Sequence, residues 1–174
     1  MSVFKDYARL VLFTAGILVG VQIPSFIDQY AKRISAHHLE AKVNFQGYEA
    51  TAIKHFNGDV EALLRHYEAS PDLVFKDDAG TIKRIHHRIQ IFSNELRILD
   101  ASLFNRILHV AFDSDKVVLE ETFSEYSYTV PLNHEAILCG LALGLAASLV
   151  FDFLLFALIR TGGFVWRRHK IAHE

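Results

Sequence analysis

One cysteine, three prolines and one tryptophan among 174 residues leave few ways to hold this chain together by anything but helix packing. The lone thiol, Cys139, sits in an apolar run, so no intramolecular disulfide can staple a domain. Catalytic signatures are missing as well. The chain has no P-loop, no dinucleotide glycine fingerprint, no Gly-x-Ser-x-Gly elbow and no His-Glu-x-x-His. Its acidic pairs, Asp77-Asp78 and Glu120-Glu121, lie in polar stretches suited to solvation and capping rather than to a paired-carboxylate site. Within residues 24–135 no i, i+4 histidine pair or Cys–His spacing supports a metal. His55, His66, His86 and His87 are the nearest thing to a cluster, and solvated-face histidines are the expectation. The reading is therefore of a non-enzymatic protein with no cofactor.

What is present is two long apolar runs at opposite ends. Residues 136–159 hold a single charge, Asp152, and would span about 36 Å as a helix, enough to cross a bilayer. The first run, residues 7–23, carries Arg9 near its start. A basic start and a dozen apolar residues also describe a signal peptide, but Gln22-Ile23-Pro24-Ser25 provides no small-x-small cleavage site, so a retained anchor is expected. Arg160, Arg167, Arg168 and Lys170 follow the second run, and Lys5 and Arg9 accompany the first. By the positive-inside rule this predicts two passes with both termini cytoplasmic. The expected divisions are an N-terminal transmembrane helix over 1–23, an extracytoplasmic domain over 24–135, a second transmembrane helix over 136–159 and a basic tail over 160–174.

Each run carries a Gly-x-x-x-Gly pair: Gly16 with Gly20, and Gly140 with Gly144, the latter continued by Ser148 and Asp152. Small residues at this spacing let backbones approach closely where lipid offers no hydrophobic drive. They predict helix packing, within one chain or between chains. An acid inside a span needs a partner. If the two runs lie antiparallel, Arg9 falls within a turn of Asp152 and an intramembrane ion pair is expected, with Arg160 as the competing cation.

Residues 24–135 carry 12 Lys and Arg against 17 Asp and Glu. That negative balance repels phosphates and excludes nucleic acid as a partner. Ile82, Ile85, Ile89, Phe92, Leu96, Leu99 and Leu103 follow one another in alternating steps of three and four, a helical seam. Thr81 is its expected N-cap and Asp113 its expected end. A second long helix is predicted over 25–56, closed by Asn57-Gly58. Matching lengths suggest an antiparallel hairpin with residues 57–80 at its tip and residue i opposite residue 137 − i. Glu121–Val130 alternates and is rich in aromatic and β-branched residues, so it is expected to be extended. The fold class expected is thus an all-α membrane protein: two transmembrane helices flanking an extended antiparallel helical hairpin, with one short extended segment.

The run Gln22-Ile-Pro-Ser-Phe-Ile-Asp-Gln-Tyr-Ala-Lys-Arg33, together with the Val130-Pro131-Leu132 approach to the second apolar run, resembles a bacterial family of small membrane proteins catalogued as domain of unknown function 2937. The resemblance implies a bacterial inner-membrane protein with two spans and transfers no catalytic residue. The leading expectation is a scaffold or assembly factor that contacts membrane lipids and self-associates as a homo-oligomer through its glycine stripes and outer helices. An accessory or sensor subunit of a transporter or envelope complex, partnered by another membrane or envelope protein, is the second. A small oligomeric channel using Asp152 is the third.

Overall fold

The computed structural model of the chain describes residues 2–129, 131 and 133–171, with the side chains of all of these except 2, 159 and 161–171. Every regular element among them is helical: α1 (Ser2–Gly20), α2 (Gln22–Phe56), α3 (Val60–Glu68), α4 (Leu73–Leu99), α5 (Leu103–Phe112), α6 (Lys116–Ser124) and α7 (His134–Ile171). The chain divides into two compact units. One comprises Met1–Phe26 with Ser127–Glu174; the other is Ile27–Tyr126.

The first unit is α1 packed on α7. Two helices here are long and apolar enough to cross a membrane, one beginning near the N-terminus at Val3 and the other spanning His134–Leu158. In the most apolar 18-residue stretch of the second, only 6% is buried. Its side chains Leu138, Leu145, Leu149 and Phe153 all stand exposed. α1 ends at Gly20 because Pro24 has no N–H to give the Gly20 carbonyl four residues back. Only Val21 separates α1 from α2, and its N–H still reaches the Ile17 carbonyl at 3.0 Å. Asn133 opens α7 by accepting the Ala136 N–H at 2.8 Å. Of the basic residues used to orient the chain, Arg167, Arg168 and Lys170 lie outside the described side chains. Val130 and Leu132 lie outside the described residues. The backbone of α7 is helical as far as Ile171, through most of the stretch expected to be a tail.

In the second unit α2 and α4 run antiparallel. Tyr30 meets Glu95, His37 stacks on Phe92, and Phe45 stacks on His86. The register differs from 137 − i, which places His37 opposite Asp100 and His86 opposite Thr51. The reason lies at the start of α4. Asp72, not Thr81, is its N-cap, accepting the Val74 N–H at 2.9 Å, so α4 begins eight residues before Thr81 and Gly80 is simply a helical residue. α2 closes on Asn57 (φ 52°) and Gly58 (φ 83°), whose N–H reaches back to the Ala52 carbonyl at 3.0 Å. Phe45, Leu64 and Ile82 form the core there, with Tyr48, Val60, Tyr67, Ile85 and Ile89 against it.

Two further expectations change. The single helix expected over 81–113 is broken at Asp100-Ala101-Ser102 into α4 and α5, where Asp and Ser are residue types of low helix propensity. The segment expected to be extended is helical through Ser124, because Asp115 caps α6 by accepting the Val117 and Val118 N–H groups, each at 3.0 Å. Of that segment's described residues only 125–129 lie outside helix, and no strand occurs among the described residues.

Candidate functional site

Three places carry more chemistry than packing alone requires. In the first unit, the two glycine pairs face each other. A Cβ built on Gly16 would stand 2.8 Å from the Gly144 Cα, and one on Gly20 would stand 2.6 Å from the Cys139 carbonyl oxygen. From the other side, Gly140 meets Ile17 and Val21, and Gly144 meets Phe13 and Ile17. The stripes are thus engaged with one another inside one chain.

Past the glycines the same stripe of α7 reaches Ser148 and Asp152, which line an open groove of about 500 Å³ with Asp6, Arg9, Leu10 and Phe13. Asp152 receives two cations. Arg9 Nη1 stands 3.6 Å from one carboxylate oxygen and Lys5 Nζ 3.3 Å from the other. Lys5 lies one helical turn before Arg9 and, though read as an orienting charge, was not expected as a partner of Asp152. Arg160, the competing cation, is exposed.

The second place is a buried polar knot in the helical unit. Tyr30 is fully buried on α2, and its hydroxyl donates to Glu95 Oε1 at 2.6 Å while accepting the Asp115 N–H at 3.0 Å. His109 Nε2 shares the same Glu95 oxygen at 2.7 Å. Burial, and then the neighbouring Glu95 carboxylate, push the Tyr30 hydroxyl well above the ordinary tyrosine value. One knot therefore ties α2, α4, α5 and the entry to α6.

Beside it α6 is strapped to α2 by charge. Arg33 binds Glu125 at 2.8 Å and stands 3.8 Å from Glu121, and His37 Nε2 meets Glu121 at 2.8 Å. The Arg33 bond holds the Glu125 carboxyl below its usual value, and Glu125 in turn raises that of Arg33. Against this strap lies a cleft of about 260 Å³ lined by His37, Arg88, Ile91, Phe92, Asp115, Val117, Val118 and Glu121. Its walls are largely apolar, and Ile91 (40% exposed) and Val117 (66%) stand at its mouth. Arg88 lies over the Phe92 ring at 5.5 Å.

The seam read from the sequence is consumed inside this unit. Ile82, Phe92 and Leu99 are buried, and Ile85, Ile89, Leu96 and Leu103 half-buried. A different apolar stripe is left outside. Ala36, Leu39, Val43, Gln46, Ala50 and Ile53 follow steps of three and four along α2 and are all exposed, on the side away from the buried Ile34, Ala41, Phe45 and Ala52. The histidines are scattered: His66 packs on Phe56 and Tyr67, His86 on Phe45. No group of three His, Cys, Asp or Glu side chains able to hold a metal occurs among the described residues.

No curated protein and no solved structure was found that matches the chain. A family model does match, over residues 4–163, taking in both apolar helices and the whole helical unit between them. On that coverage the chain belongs to the family described as Protein of unknown function (DUF2937).

Proposed function

We propose that this is a two-pass inner-membrane protein, non-enzymatic, that self-associates through the outer face of α2 and serves as a scaffold or assembly factor. Both termini are cytoplasmic and the helical unit is periplasmic in this reading. The observation that carries it is the second stripe on α2. Leu39 (64% exposed), Val43 (54%) and Ile53 (65%) recur with Ala36, Gln46 and Ala50 at coiled-coil spacing over about 26 Å of helix. A soluble unit of this size does not leave such a ridge in water without a partner.

The chain itself argues for a second copy aligned in parallel. α2 starts one residue after α1, so copies anchored in one bilayer present the N-terminal ends of α2 side by side. Parallel pairing brings Gln46 against its own counterpart, a polar pair that fixes register. It also brings Glu49 beside the partner's Lys54 on both flanks. Two alanines and a glutamine make a weak seam, and confinement of both copies to one membrane raises the effective concentration that such a seam needs. The glycine stripes, already engaged within the chain, leave α2 as the outer helix available.

The mass of the detergent-extracted protein tests this, by native mass spectrometry or light scattering. A dimer that becomes monomeric in Leu39→Lys and Ile53→Lys, with helical content unchanged, is the expected result. Wild-type monomer at membrane-like concentrations would overturn it. It would favour the second reading, an accessory or sensor subunit, which the internally covered α4 seam and the cleft beside α6 support.

A further inference from the structure

We infer that the cleft between α2, α4 and α6 is a binding site for a small carboxylate with an apolar body. The site is independent of the self-association stripe: of the α2 residues it uses only His37, which is not part of that stripe.

The argument is one of matched and unmatched charge. Four side chains in the lining are ionisable: His37, Arg88, Asp115 and Glu121. Glu121 is taken by His37 at 2.8 Å and approached by Arg33 at 3.8 Å. Asp115 gives Oδ1 to two N–H groups at the start of α6, while its own N–H goes to Tyr30. Arg88 is different. Its guanidinium rests against the Phe92 ring and has no hydrogen-bond or ion-pair partner among the described residues. The guanidinium thus lies over the Phe92 wall of the cleft with its N–H groups uncommitted, and such a fork can take a carboxylate by two parallel bonds.

The rest of the lining selects the ligand's body. Ile91, Phe92, Val117 and Val118 form apolar walls, two of them exposed at the mouth, so a ligand that covers them removes apolar surface from water. A volume of about 260 Å³ corresponds to about nine water molecules at ~30 Å³ each, which suits a molecule of eight to ten carbons and not a long acyl chain. A single free cation flanked by Asp115 and Glu121 favours a monoanion. A phosphate dianion would bring a second charge toward those two carboxylates with nothing to neutralise it.

The test uses full-length protein in nanodiscs, with empty discs as the background, and octanoate, octan-1-ol and octyl phosphate as probes in calorimetric titration. Octanoate is expected to bind one site per chain, with octan-1-ol weaker by about tenfold or more, the order lost with a charge-assisted hydrogen bond. Arg88→Gln should lose octanoate binding by a similar factor. Val117→Glu, at an exposed wall position, should abolish it while leaving the helical circular dichroism intact. Equal binding of octanoate and octan-1-ol, octanoate binding unchanged in Arg88→Gln, or no heat above that of empty discs would each overturn the inference. Tighter binding of octyl phosphate would overturn the carboxylate assignment. Because the readout is ligand heat and not mass, a protein that binds octanoate as a monomer would overturn the scaffold reading and leave this one standing.

Discussion

Gly16 and Gly144 meet backbone to backbone: a single methyl on Gly16 would lie 2.8 Å from the Gly144 Cα, with the Leu143 carbonyl at 3.0 Å. Neither neighbour is the end of a flexible side chain, so neither can yield. Alanine is the better helix former, yet here the contact decides the sign. Gly16→Ala and Gly20→Ala should each destabilise the α1–α7 pair by about 1–3 kcal/mol, the usual cost of overpacking. Thermal unfolding in a mild detergent measures it; an unchanged or raised Tm in both would contradict the packing described.

Gly47 provides the opposite case on the same scale. It lies inside α2 with nothing within 4 Å of a built Cβ. Gly47→Ala should therefore stabilise the helical unit by about 0.5–1 kcal/mol, through helix propensity and a less disordered unfolded chain. Urea unfolding followed by circular dichroism would detect it.

Tyr30→Phe removes a hydroxyl that serves two partners. The buried Glu95 keeps only His109 in the knot, and the Asp115 N–H loses its acceptor in a part-buried place. A loss of about 1–3 kcal/mol is expected, the cost of leaving a buried polar group unsatisfied.

The same residue sets an alkaline limit. Burial and the Glu95 carboxylate raise the Tyr30 hydroxyl above the ordinary tyrosine value of 10.0, so the folded protein holds that proton more tightly than the unfolded chain does. The stability tied to it is complete below about pH 10 and is lost progressively as the pH rises past that value. The stability gap between wild type and Tyr30→Phe should therefore narrow above pH 10. A gap that stays constant to pH 11.5 would show that the hydroxyl ionises as readily folded as unfolded.

Charge at the α2 face can be exchanged. Parallel pairing sets Glu49 against the partner's Lys54, so Glu49→Lys should weaken the dimer, and Glu49→Lys with Lys54→Glu should restore it. Exposed pairs are worth about 0.2–1 kcal/mol each, and the interface has two, so a shift of several-fold in dimer Kd is the expected size. Sedimentation in detergent reads it. A double exchange no better than the single one would exclude the parallel register.

Much of the arrangement was legible in the chain. Long apolar runs have few alternative fates, which is why both apolar helices can be read without a structure. Glycine at four-residue spacing marks one face, but whether that face meets its own chain or another is a property of three-dimensional closure and not of spacing. Asp152 announces a need for countercharge; Lys5, a turn beyond Arg9, emerges only when the helices are placed side by side. The helical unit was harder. Aromatic and β-branched alternation at Glu121–Val130 outweighs a cap eight residues upstream of Phe123, although Asp115 is what commits that segment to helix. Asp72 does the same for α4, and missing it displaces the whole register. The outer stripe of α2 was hidden by the inner one, since both use three–four steps on one helix. Glu95 did leave a trace: it stands three residues after Phe92 and four before Leu99, a carboxylate on the flank of an apolar seam that had to find a buried donor.

The crossing of α1 and α7 also acts on the stretch of chain that joins them. Gly20 and Gly140 lie on either side of everything from Ile27 to Tyr126, so once they meet, that stretch is a closed loop and its unfolded ensemble is smaller. In the chain-entropy picture a permanent closure of a loop near 100 residues removes about 4–5 kcal/mol of disorder from the unfolded state. A protein with one cysteine thus obtains, from two pairs of glycines, the kind of constraint that secreted domains draw from a disulfide.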